Sequence, residues 1–556
     1  MMDSKLRMSI NVGLLAGVIM LGVSAIGMVE TFDQRSLITG LVTLGQLLLF
    51  VPPLGAAYLA AQRSKETDPG RVMLHGSVAG LFSALPLVAL IFLTVLLPNI
   101  REQLVNVSPA LISILTFGQG AFVGSVLRLL ANLIMGVIGS GLFLLPSRFR
   151  RPVINGIVGM FAVAILSEML LNILRPLPDN LVNFFFGSKG VEPITALLLL
   201  VTIPLLSFWW DLRGRDAYQK RWASLPPAGQ QRARRGSQLA GVILLLFLPL
   251  ILGTYLTEVV DNVGIYILMG FGLNIVVGFA GLLDLGYVAF FAIGAYTMGL
   301  LTSQGPLGIA GTSFWLALPI SVAAATIAGV ILGTPVLRLR GDYLAIVTLG
   351  FGEIIRVLVT SDLLKPYIGG AQGILQISKP RILDFVFVQP QDFYYIILAG
   401  CAFAAFVSWR LRDARLGRRW MAMREDETVA EAMGIHLVVT KLLAFGMGAA
   451  FAGMAGAIFA SRLGSIFPNS FNLLISINVL SLIIVGGMGS LPGVVVGALV
   501  LVGLPELLRE FAEYRLLIYG ILLIAMMIAK PEGLWPSPVR RREMRAEDEQ
   551  IQANKA

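Results

Sequence analysis

The uncharged run LLAFGMGAAFAGMAGAIFAS, from Leu442 to Ser461, decides the fold class of this chain. A helix of about 20 residues reaches about 30 Å, which is the thickness of the hydrocarbon core of a bilayer. Small residues recur every four positions within the run and form a stripe: Gly448, Ala452, Gly456 and Ala460. Because small residues let membrane helices approach closely, the run predicts a spanning helix that packs tightly against its neighbours.

The composition extends this prediction to the whole chain. The 556 residues are 56% hydrophobic and 13% charged, with a mean hydropathy of +0.83. A soluble globular chain carries about 25% charged residues, so this chain has too few polar side chains to cover a globule in water. Its long apolar runs also differ from the short alternating segments of a β-barrel. The predicted fold class is all-α, a polytopic transmembrane helical bundle of about 14–16 spans.

The net charge of +10 could indicate nucleic-acid binding, but the basic residues are not spread over one surface. They form short clusters between apolar runs, as at 148–151 and 410–419. Cytoplasmic loops of membrane proteins carry such clusters under the positive-inside rule. The distribution therefore excludes a nucleic-acid partner and places both termini in the cytoplasm.

The longest polar stretch, 211–237, is basic, contains Pro226 and Pro227, and is predicted to be a helix-breaking cytoplasmic linker. It separates an N-terminal extension of about six helices, 1–210, from a core of about ten helices, 238–536. A charged cytoplasmic tail, 537–556, follows the core. The predicted spans lie near 8–29, 36–60, 72–97, 110–145, 152–174, 193–210, 238–258, 263–280, 284–303, 313–334, 341–360, 393–410, 440–462, 473–487, 490–505 and 513–529. The run 110–145 is too long for one simple crossing, which predicts a kink, a tilt or an extra re-entrant piece.

Two apolar stretches of the core are interrupted by glycine, Gly278–Tyr296 and Gly486–Gly493. Broken helices at membrane depth persist only where they line a cavity or lie inside protein, and a pair of them points to a translocation path. Asp284 is costly in lipid, so it faces the protein interior, a water cavity or the interface, or it caps a half-helix beginning near Leu285. The candidate path residues are Asn274, Asp284, Tyr287, Tyr296, Glu353, Gly370, Gln372, Gly487 and Gly489.

Other polar residues in the apolar runs are few. Glu353 and Arg356 are three positions apart, so they share a helix face and can neutralise each other. The single cysteine, Cys401, is interpreted as a small buried hydrophobe. With only two histidines, His75 and His436, the sequence predicts no metal site, no cofactor and no catalytic residue.

The stretch 409–440 differs from the rest because it is rich in charges of both signs. It predicts a short amphipathic helix on the cytoplasmic side, ended by Gly434 in the C′ position. Such a helix suits docking to a soluble partner, although a solvated loop helix without a partner is also consistent with it. No lysine follows a glycine, so the chain has no GxxxxGK[ST] phosphate loop. If ATP drives transport, its hydrolysis takes place on another chain.

Several segments, in order, resemble one protein family over about residues 238–536. They are Gly272–Gly278, Gly281–Tyr296, Leu337–Arg356, Gly369–Ile374, the loop 417–435, Val485–Gly493 and Lys530–Leu534. The sequence resembles the larger, M-type (LivM-like) permease subunits of bacterial branched-chain amino-acid ABC importers. The resemblance departs from the family in the long segment 1–236, and in Ala371 and Gln372, which replace a Pro-Asn pair common there.

The resemblance implies that the chain is a permease of the bacterial inner membrane and carries amino acids from the periplasm to the cytoplasm. It implies a heterodimer with a second permease subunit, two ATP-binding subunits and a periplasmic substrate-binding protein. The loop would be the coupling helix that docks into an ATPase. Its residues on the family pattern are Arg418, Arg424, Glu425, Glu427, Ala430, Glu431, Gly434 and Ile435.

Two alternatives stay open at this point. Related importers carry urea or short amides, so the exact substrate does not follow from the permease sequence. From another class, an ion-coupled secondary transporter also uses broken helices, but buried ionisable residues are sparse here and the charged loop helix would lack a purpose.

Overall fold

The computed structural model describes residues 4–97, 104–174, 178–187, 190–210, 226–309, 311–336, 339, 341–507 and 514–537. The chain forms two compact units, Met1–Leu239 and Ala240–Ala556. Most of the predicted linker (211–225) and nearly all of the predicted tail (538–556) lie outside the described residues.

The first unit is helical, with one small sheet. Its helices are α1 (Ser4–Ala25), α2 (Met28–Asp33), α3 (Leu44–Ser64), α4 (Pro69–Leu96), α5 (Pro109–Leu115), α6 (Ala121–Leu144), α7 (Ser147–Ile165), α8 (Ser167–Leu174), α9 (Asp179–Phe185) and α10 (Pro193–Trp209). Its strands are β1 (Ser36–Ile38), β2 (Val42–Thr43), β3 (Phe186–Gly187) and β4 (Gly190–Val191). They are ordered β2-β1-β4-β3, with β1 parallel to β4 and the other pairs antiparallel.

Helix α4 is the centre of the first unit and packs against α1, α3 and α6. Its contact with α6 is close because glycines face each other: a Cβ on Gly80 would lie 2.7 Å from the Cα of Gly136. Beside this crossing, Asn132 Nδ2 donates to Ser83 Oγ over 3.1 Å. Small residues and a buried interhelical hydrogen bond are the means by which helices associate in lipid.

The run predicted at 110–145 contains a short extra helix, α5, followed by the full-length α6. Phe117 and Gly118 lie between them with positive φ angles of 55° and 73°, which break the helix. Arg128 is buried in α6 and donates to the carbonyls of Leu115 and Ile114, each over 3.0 Å. These carbonyls lie at the end of α5, where regular helical hydrogen bonding stops, so a charge inside an apolar run caps a neighbouring helix.

Three other predicted bounds in this unit were wrong. The predicted span 8–29 ends earlier, at Ala25, because Gly27 adopts φ 83°. The span predicted at 36–60 begins at Leu44, where Thr43 forms a capping box. The span predicted at 152–174 is two helices, α7 and α8.

The second unit contains the core and its two helical breaks. Its elements are α11 (Pro227–Leu273, which begins before the unit boundary), a π-helical segment (Asn274–Phe279), α12 (Val288–Thr302), α13 (Phe314–Val336), α14 (Asp342–Thr360), α15 (Lys365–Ile368), β5 (Arg381–Ile382), β6 (Phe385–Val386), α16 (Pro390–Asp413), α17 (Arg415–Glu425), α18 (Glu427–Ala432), α19 (Leu437–Leu463), α20 (Leu473–Gly486), α21 (Leu491–Ala498), a second π-helical segment (Leu499–Gly503), α22 (Leu504–Leu507) and α23 (Arg515–Ala529).

The two spans predicted at 238–258 and 263–280 correspond to α11, which consists of two helical segments separated by a kink, and Pro227 starts the first segment rather than breaking it. The helix bends at Gly253, whose φ of 69° and ψ of −174° are not helical. The residues between the two predicted spans, 259–262, are helical, and two of them pair with α19. Arg462 Nη1 donates to Asn262 Oδ1 over 2.7 Å, and Arg462 Nε lies 3.6 Å from the buried Asp261 carboxylate.

Helix α19 packs against α12 and α13 at the centre of this unit. Its predicted small-residue stripe is buried throughout. A Cβ on Gly456 would collide with the carbonyl oxygen of Phe291 in α12, and a Cβ on Gly448 would lie 3.3 Å from Gly272 O in α11. These contacts confirm the packing role predicted for the stripe.

Among the described residues, ten helices are long and apolar enough to cross a membrane, and four shorter apolar helices of 10–17 residues accompany them. The predicted all-α polytopic fold is confirmed. Helix α14 is largely uncovered by the described residues. In its most apolar 18-residue stretch only 17% of the residues are buried, compared with 72% in the corresponding stretch of α19.

Candidate translocation and coupling site

The first predicted break lies between α11 and α12. The helix widens into the π-helical segment Asn274–Phe279, and Ala280 N donates to Ile275 O over 3.0 Å at its end. Gly281 then turns the chain with φ 72°, and α12 begins at Val288. Isolated π-helical turns inside α-helices frequently mark functional sites.

Asp284 lies inside this break and is fully buried, which confirms the predicted interior position. Its Oδ1 accepts from Gly286 N over 2.9 Å, whereas Oδ2 has no hydrogen-bond partner among the described residues. The predicted capping role was wrong, because α12 begins four residues later and its first amide, Val288 N, donates to Ser476 Oγ over 2.9 Å. The break is therefore tied to α20 by a serine and leaves a polar oxygen of Asp284 for another group.

Tyr287 joins three helices at the end of the same break. Its buried Oη lies 3.0 Å from the carbonyl of Met269 in α11 and 2.9 Å from that of Gly448 in α19, so the two carbonyls share its proton. A buried hydrogen bond of this kind holds α12 in register with both neighbours.

The variant Tyr287→Phe removes this hydroxyl and leaves two buried carbonyls with one donor fewer. We expect it to destabilise the protein by about 1–3 kcal/mol, because an unsatisfied buried polar group carries its full desolvation cost. The measurement is the thermal unfolding midpoint of the purified chain in detergent. Tyr343→Phe is the matched control, since Tyr343 is 74% exposed and its variant should unfold with the wild type. Equal midpoints for both variants would contradict this role.

The second predicted break follows α20. Gly487 and Gly489 adopt φ angles of 115° and 76°, and α21 begins after Ser490, whose Oγ accepts from Gly493 N over 3.1 Å. Near the C-terminal end of the described chain, Trp535 N donates to Gly486 O over 2.9 Å. This bond satisfies a carbonyl that the end of α20 leaves without a helical partner.

The two breaks are in direct contact. Gly489 N donates to Oδ1 of the buried Asn274 over 2.9 Å. A Cβ on Gly278 would lie 2.8 Å from the same amide, so the backbones approach as closely as glycine allows. Asn274 Nδ2 has no hydrogen-bond partner among the described residues. The structure thus brings together Asn274 and Gly489, two of the residues predicted from separate stretches of sequence.

Arg424 connects the charged loop to the first break. Its Nη1 donates to Gly278 O over 2.8 Å, and a Cβ on Gly281 would lie 2.6 Å from its Cγ. A charged donor makes one of the stronger hydrogen bonds available to a backbone carbonyl. The end of α17 therefore contacts the π-helical segment directly.

The loop contains two short helices, α17 and α18, rather than the single helix predicted. Asp426 separates them and caps α18 by accepting from Thr428 N over 2.7 Å and from Val429 N over 3.0 Å. The predicted end at Gly434 is confirmed: its φ is 85°, and Ile435 N donates to Ala430 O over 3.1 Å in a Schellman arrangement.

The inner face of the loop is anchored on α19. The buried Trp420 donates from Nε1 to Thr440 O over 2.8 Å. Lys441 Nζ lies 2.8 Å from Glu427 Oε1, and the lysine side chain is only 3% exposed. The outer face is exposed and carries charged and apolar side chains: Arg418, Glu425, Val429, Glu431 and Met433. The loop is thus a rigid element whose free surface can bind a partner.

The other predicted path residues lie in two further places. Tyr296 and Arg356 border a narrow cavity between α12 and α14. Glu353 pairs with Arg356 on α14, as predicted. Gln372 lines a separate open pocket of about 570 Å³ with residues of 303–307 and 365–376, and the neighbouring Gly370 is buried. Beyond this pocket, burial and the charge of Arg462 lower the pKa of Lys379.

Sequence reasoning missed the anchors of this site. Lys441 had a usable signal, because a lone lysine at the start of a long apolar run needs a buried partner. Trp420 stands in the quoted loop, but nothing in the sequence links it to Thr440. Ser476 and Trp535 gave no signal, since a serine in an apolar run and a tryptophan after the last helix have many ordinary explanations.

These features define a class of protein. Packed spanning helices, two broken segments in contact and an anchored loop with a free polar face are the parts of a transmembrane permease. Among the described residues, no group of three or more His, Cys, Asp or Glu side chains could hold a metal ion.

Comparison with known proteins identifies the family. The family model for the permease component of the branched-chain amino acid transport system matches residues 255–529. The high-affinity branched-chain amino acid transport system permease protein LivM of Escherichia coli K12 is 42% identical over 321 residues, which cover 54% of this chain and 74% of LivM. This chain belongs to the branched-chain amino acid transport permease family, and it is LivM-like within it.

More distant relatives also match. The probable branched-chain amino acid transport permease protein LivM of Methanocaldococcus jannaschii is 25% identical over 319 residues, which cover 49% of this chain and 91% of the length of that protein. The permease protein LivH of Salmonella typhimurium LT2 is 25% identical over 293 residues, which cover 49% of this chain and 92% of LivH. No solved structure matches the chain. These relatives support an ABC permease of branched-chain amino acid transport, and they favour neither the urea or short-amide ABC permease nor the ion-coupled transporter considered from sequence.

Proposed function

We propose that this chain is the M-type permease subunit of an ATP-driven importer that carries branched-chain amino acids from the periplasm to the cytoplasm. The observation that carries the proposal is the contact of Arg424 with Gly278 O, which joins an exposed loop to the first break. The bond from Gly489 N to Asn274 extends the connection to the second break. A displacement of the loop by a bound ATPase would therefore reach both broken segments.

The partners follow from the same reasoning. The chain lacks a phosphate loop, so ATP hydrolysis belongs to two separate ATP-binding subunits that dock on the outer face of α17 and α18. Relatives named LivM and LivH are both permease proteins of branched-chain amino acid transport systems, which supports a heterodimer of two permeases. A periplasmic binding protein would deliver the substrate to the opposite side.

Orientation rests on charge. The basic cluster at 410–419 leads into the loop, and the positive-inside rule places it in the cytoplasm. Alternation of the spans supports a cytoplasmic position for both termini, and the bacterial relatives support the inner membrane as the location of the chain. The proposed path is bordered by the breaks themselves, at Asn274, Asp284 and Tyr287 on one side and Gly487 and Gly489 on the other. Backbone that leaves helical geometry at membrane depth is tolerated along such a cavity.

The variant Glu431→Lys tests the proposal. Glu431 is exposed on the outer face of α18, so reversing its charge changes the docking surface without disturbing the anchors on α19. We expect at least a tenfold loss of ATPase co-purification from detergent extracts of cells co-expressing both proteins, roughly the effect of placing like charges in an interface. Asp362→Lys makes the same charge change on an exposed residue outside the loop and should leave co-purification intact. Failure of the wild type to retain any candidate ATPase, or unchanged retention by Glu431→Lys, would count against the proposal.

A further inference from the structure

Helix α14 carries an ion pair on a side that the described residues leave largely uncovered. Arg356 Nε donates to Glu353 Oε2 over 2.7 Å, and the two side chains are 45% and 39% exposed. The neighbouring apolar side chains Ile354 and Val357 are also more than half exposed. Two charges therefore stand on an otherwise apolar and largely uncovered helix.

Contact with lipid does not explain this pair. Charged side chains within a membrane span are costly at the centre of the bilayer, and they face cavities or protein partners in nearly all cases. Glu353 lies in the body of α14, eleven residues after its start at Asp342 and seven before its end at Thr360. The pair thus points to a polar environment beside α14, such as a water-filled passage.

A narrow cavity adjoins the pair. Arg356 forms part of its wall, and apolar side chains of α12, α14 and the segment after α19 form most of the remainder, among them Ala289, Ala292, Val359 and Phe471. The space in it is only about 10 Å³, which is the room of one water. A larger occupant would require α12 and α14 to separate along this seam.

A second polar group borders the same cavity. Tyr296 is 6% exposed, its ring centroid lies 5.6 Å from that of Phe471, and its buried hydroxyl has no hydrogen-bond partner among the described residues. Buried hydroxyls are nearly always paired, so an unpaired one that borders a cavity indicates a missing ligand or water.

We propose that Arg356, Glu353 and Tyr296 form a recognition site for the zwitterionic head of an amino acid within the permease. The guanidinium binds the α-carboxylate, for which its planar fork is suited, and the Glu353 carboxylate binds the α-ammonium. The α-carboxylate takes the place of Glu353 beside Arg356, and the α-ammonium takes the place of Arg356 beside Glu353. Neither side-chain charge is therefore left unpaired. The Tyr296 hydroxyl donates a further hydrogen bond to the α-carboxylate. The aliphatic side chain of the substrate enters the opened seam along Ala289, Ala292 and Phe471.

This inference rests on the proposed function and also sharpens it. A neutral substrate such as urea or an amide has no use for two opposite charges held side by side. An aliphatic amino acid uses both of them, together with the apolar wall. The site therefore assigns the permease a part in substrate selection.

The test is uptake of labelled leucine into proteoliposomes that contain the full chain, its partner permease, the ATPases and the loaded binding protein. We expect Arg356→Gln to reduce uptake at least tenfold, since a charge-assisted pair is lost, while the variant still co-purifies with the partner permease. Arg356→Lys keeps the charge without the fork and should recover part of the uptake. Tyr296→Phe should lower uptake several-fold. Arg381→Gln removes an arginine from the exposed strand β5 and should match the wild type.

The possible results distinguish a failure of the proposed function from a failure of the zwitterion site. If the wild-type assembly does not import leucine, the proposed function fails. If the wild type imports leucine and Arg356→Gln imports it as well as Arg381→Gln does, the zwitterion site is wrong. Loss of the partner permease from Arg356→Gln, with assembly and full uptake restored by Arg356→Lys, would make the pair a subunit contact and would also overturn the site. Should Arg356→Gln not fold, normal uptake by Tyr296→Phe and Arg356→Lys together would overturn it.

Discussion

Replacing Arg424 by glutamine is expected to reduce substrate uptake at least tenfold while leaving ATPase binding intact. Arg424 contacts the first break through Gly278 O over 2.8 Å, and it lies on the inner side of the loop rather than on the docking face. A hydrogen bond from a charged donor contributes about 1.5–3 kcal/mol, and the carbonyl of a π-helical segment has few other donors within reach. Without this bond, movement of the loop is no longer transmitted to the path.

The measurement compares ATP-dependent uptake with ATPase co-purification for the same preparation. Arg381→Gln is the matched control, because it makes the same change at an exposed residue of β5, outside the loop. We expect this control to transport at close to the wild-type rate. If Arg424→Gln and Arg381→Gln take up substrate at rates within twofold of each other, the connection through Arg424 is not used for coupling.

Replacing Gly456 by valine is expected to prevent folding of the core. Gly456 lies in α19 where it crosses α12, and a Cβ there would collide with Phe291 O and lie 3.0 Å from Ala295 N. Both obstacles are backbone atoms of a packed helix, so neither can move aside without separating the two helices. Overpacking of this kind costs about 1–3 kcal/mol and occasionally more, and here two added methyl groups extend the collision.

The yield of monodisperse protein after detergent extraction measures this effect. Gly350→Val is the control, because Gly350 lies in the little-covered helix α14 and nothing is within 4 Å of its Cβ position. We expect the control to be extracted at close to the wild-type yield and the Gly456 variant to be largely aggregated. Similar yields and unfolding midpoints for the two variants would show that the α12–α19 crossing tolerates a side chain.

The class of protein, both breaks and the charged loop could be predicted from the sequence because each depends on a local pattern. Long uncharged runs, glycines within them and a dense mixture of charges can be recognised without knowing what lies nearby. The ion pair of Glu353 and Arg356 was predictable for the same reason, since spacing along one helix places the two side chains together.

The predictions that were wrong concern features that depend on contacts between distant parts of the chain. The two spans of α11 were predicted to separate at 259–262, but these residues are helical and the break lies at Gly253. Arg462, about two hundred positions later, pairs with Asp261 and Asn262. The same holds for Asp284, whose expected capping role is taken by Ser476. The bond between Gly489 and Asn274 spans 215 positions, and no local rule predicts it.

In the first unit, too, local patterns could be predicted from the sequence and long-range contacts could not. Its spanning helices followed from hydropathy, but the burial of Arg128 did not, because the carbonyls that it caps belong to α5, a short helix that interrupts the run. The matched family region begins at residue 255, so it does not extend to this unit.

The central claim is that this chain imports branched-chain amino acids with energy from ATP bound to separate subunits. Uptake of labelled leucine by proteoliposomes containing the whole assembly tests it most directly, with ATP inside or omitted and with an uncoupler of ion gradients. The account predicts uptake that requires ATP and the binding protein and is unaffected by the uncoupler. Uptake that continues without ATP and collapses with the uncoupler would contradict it.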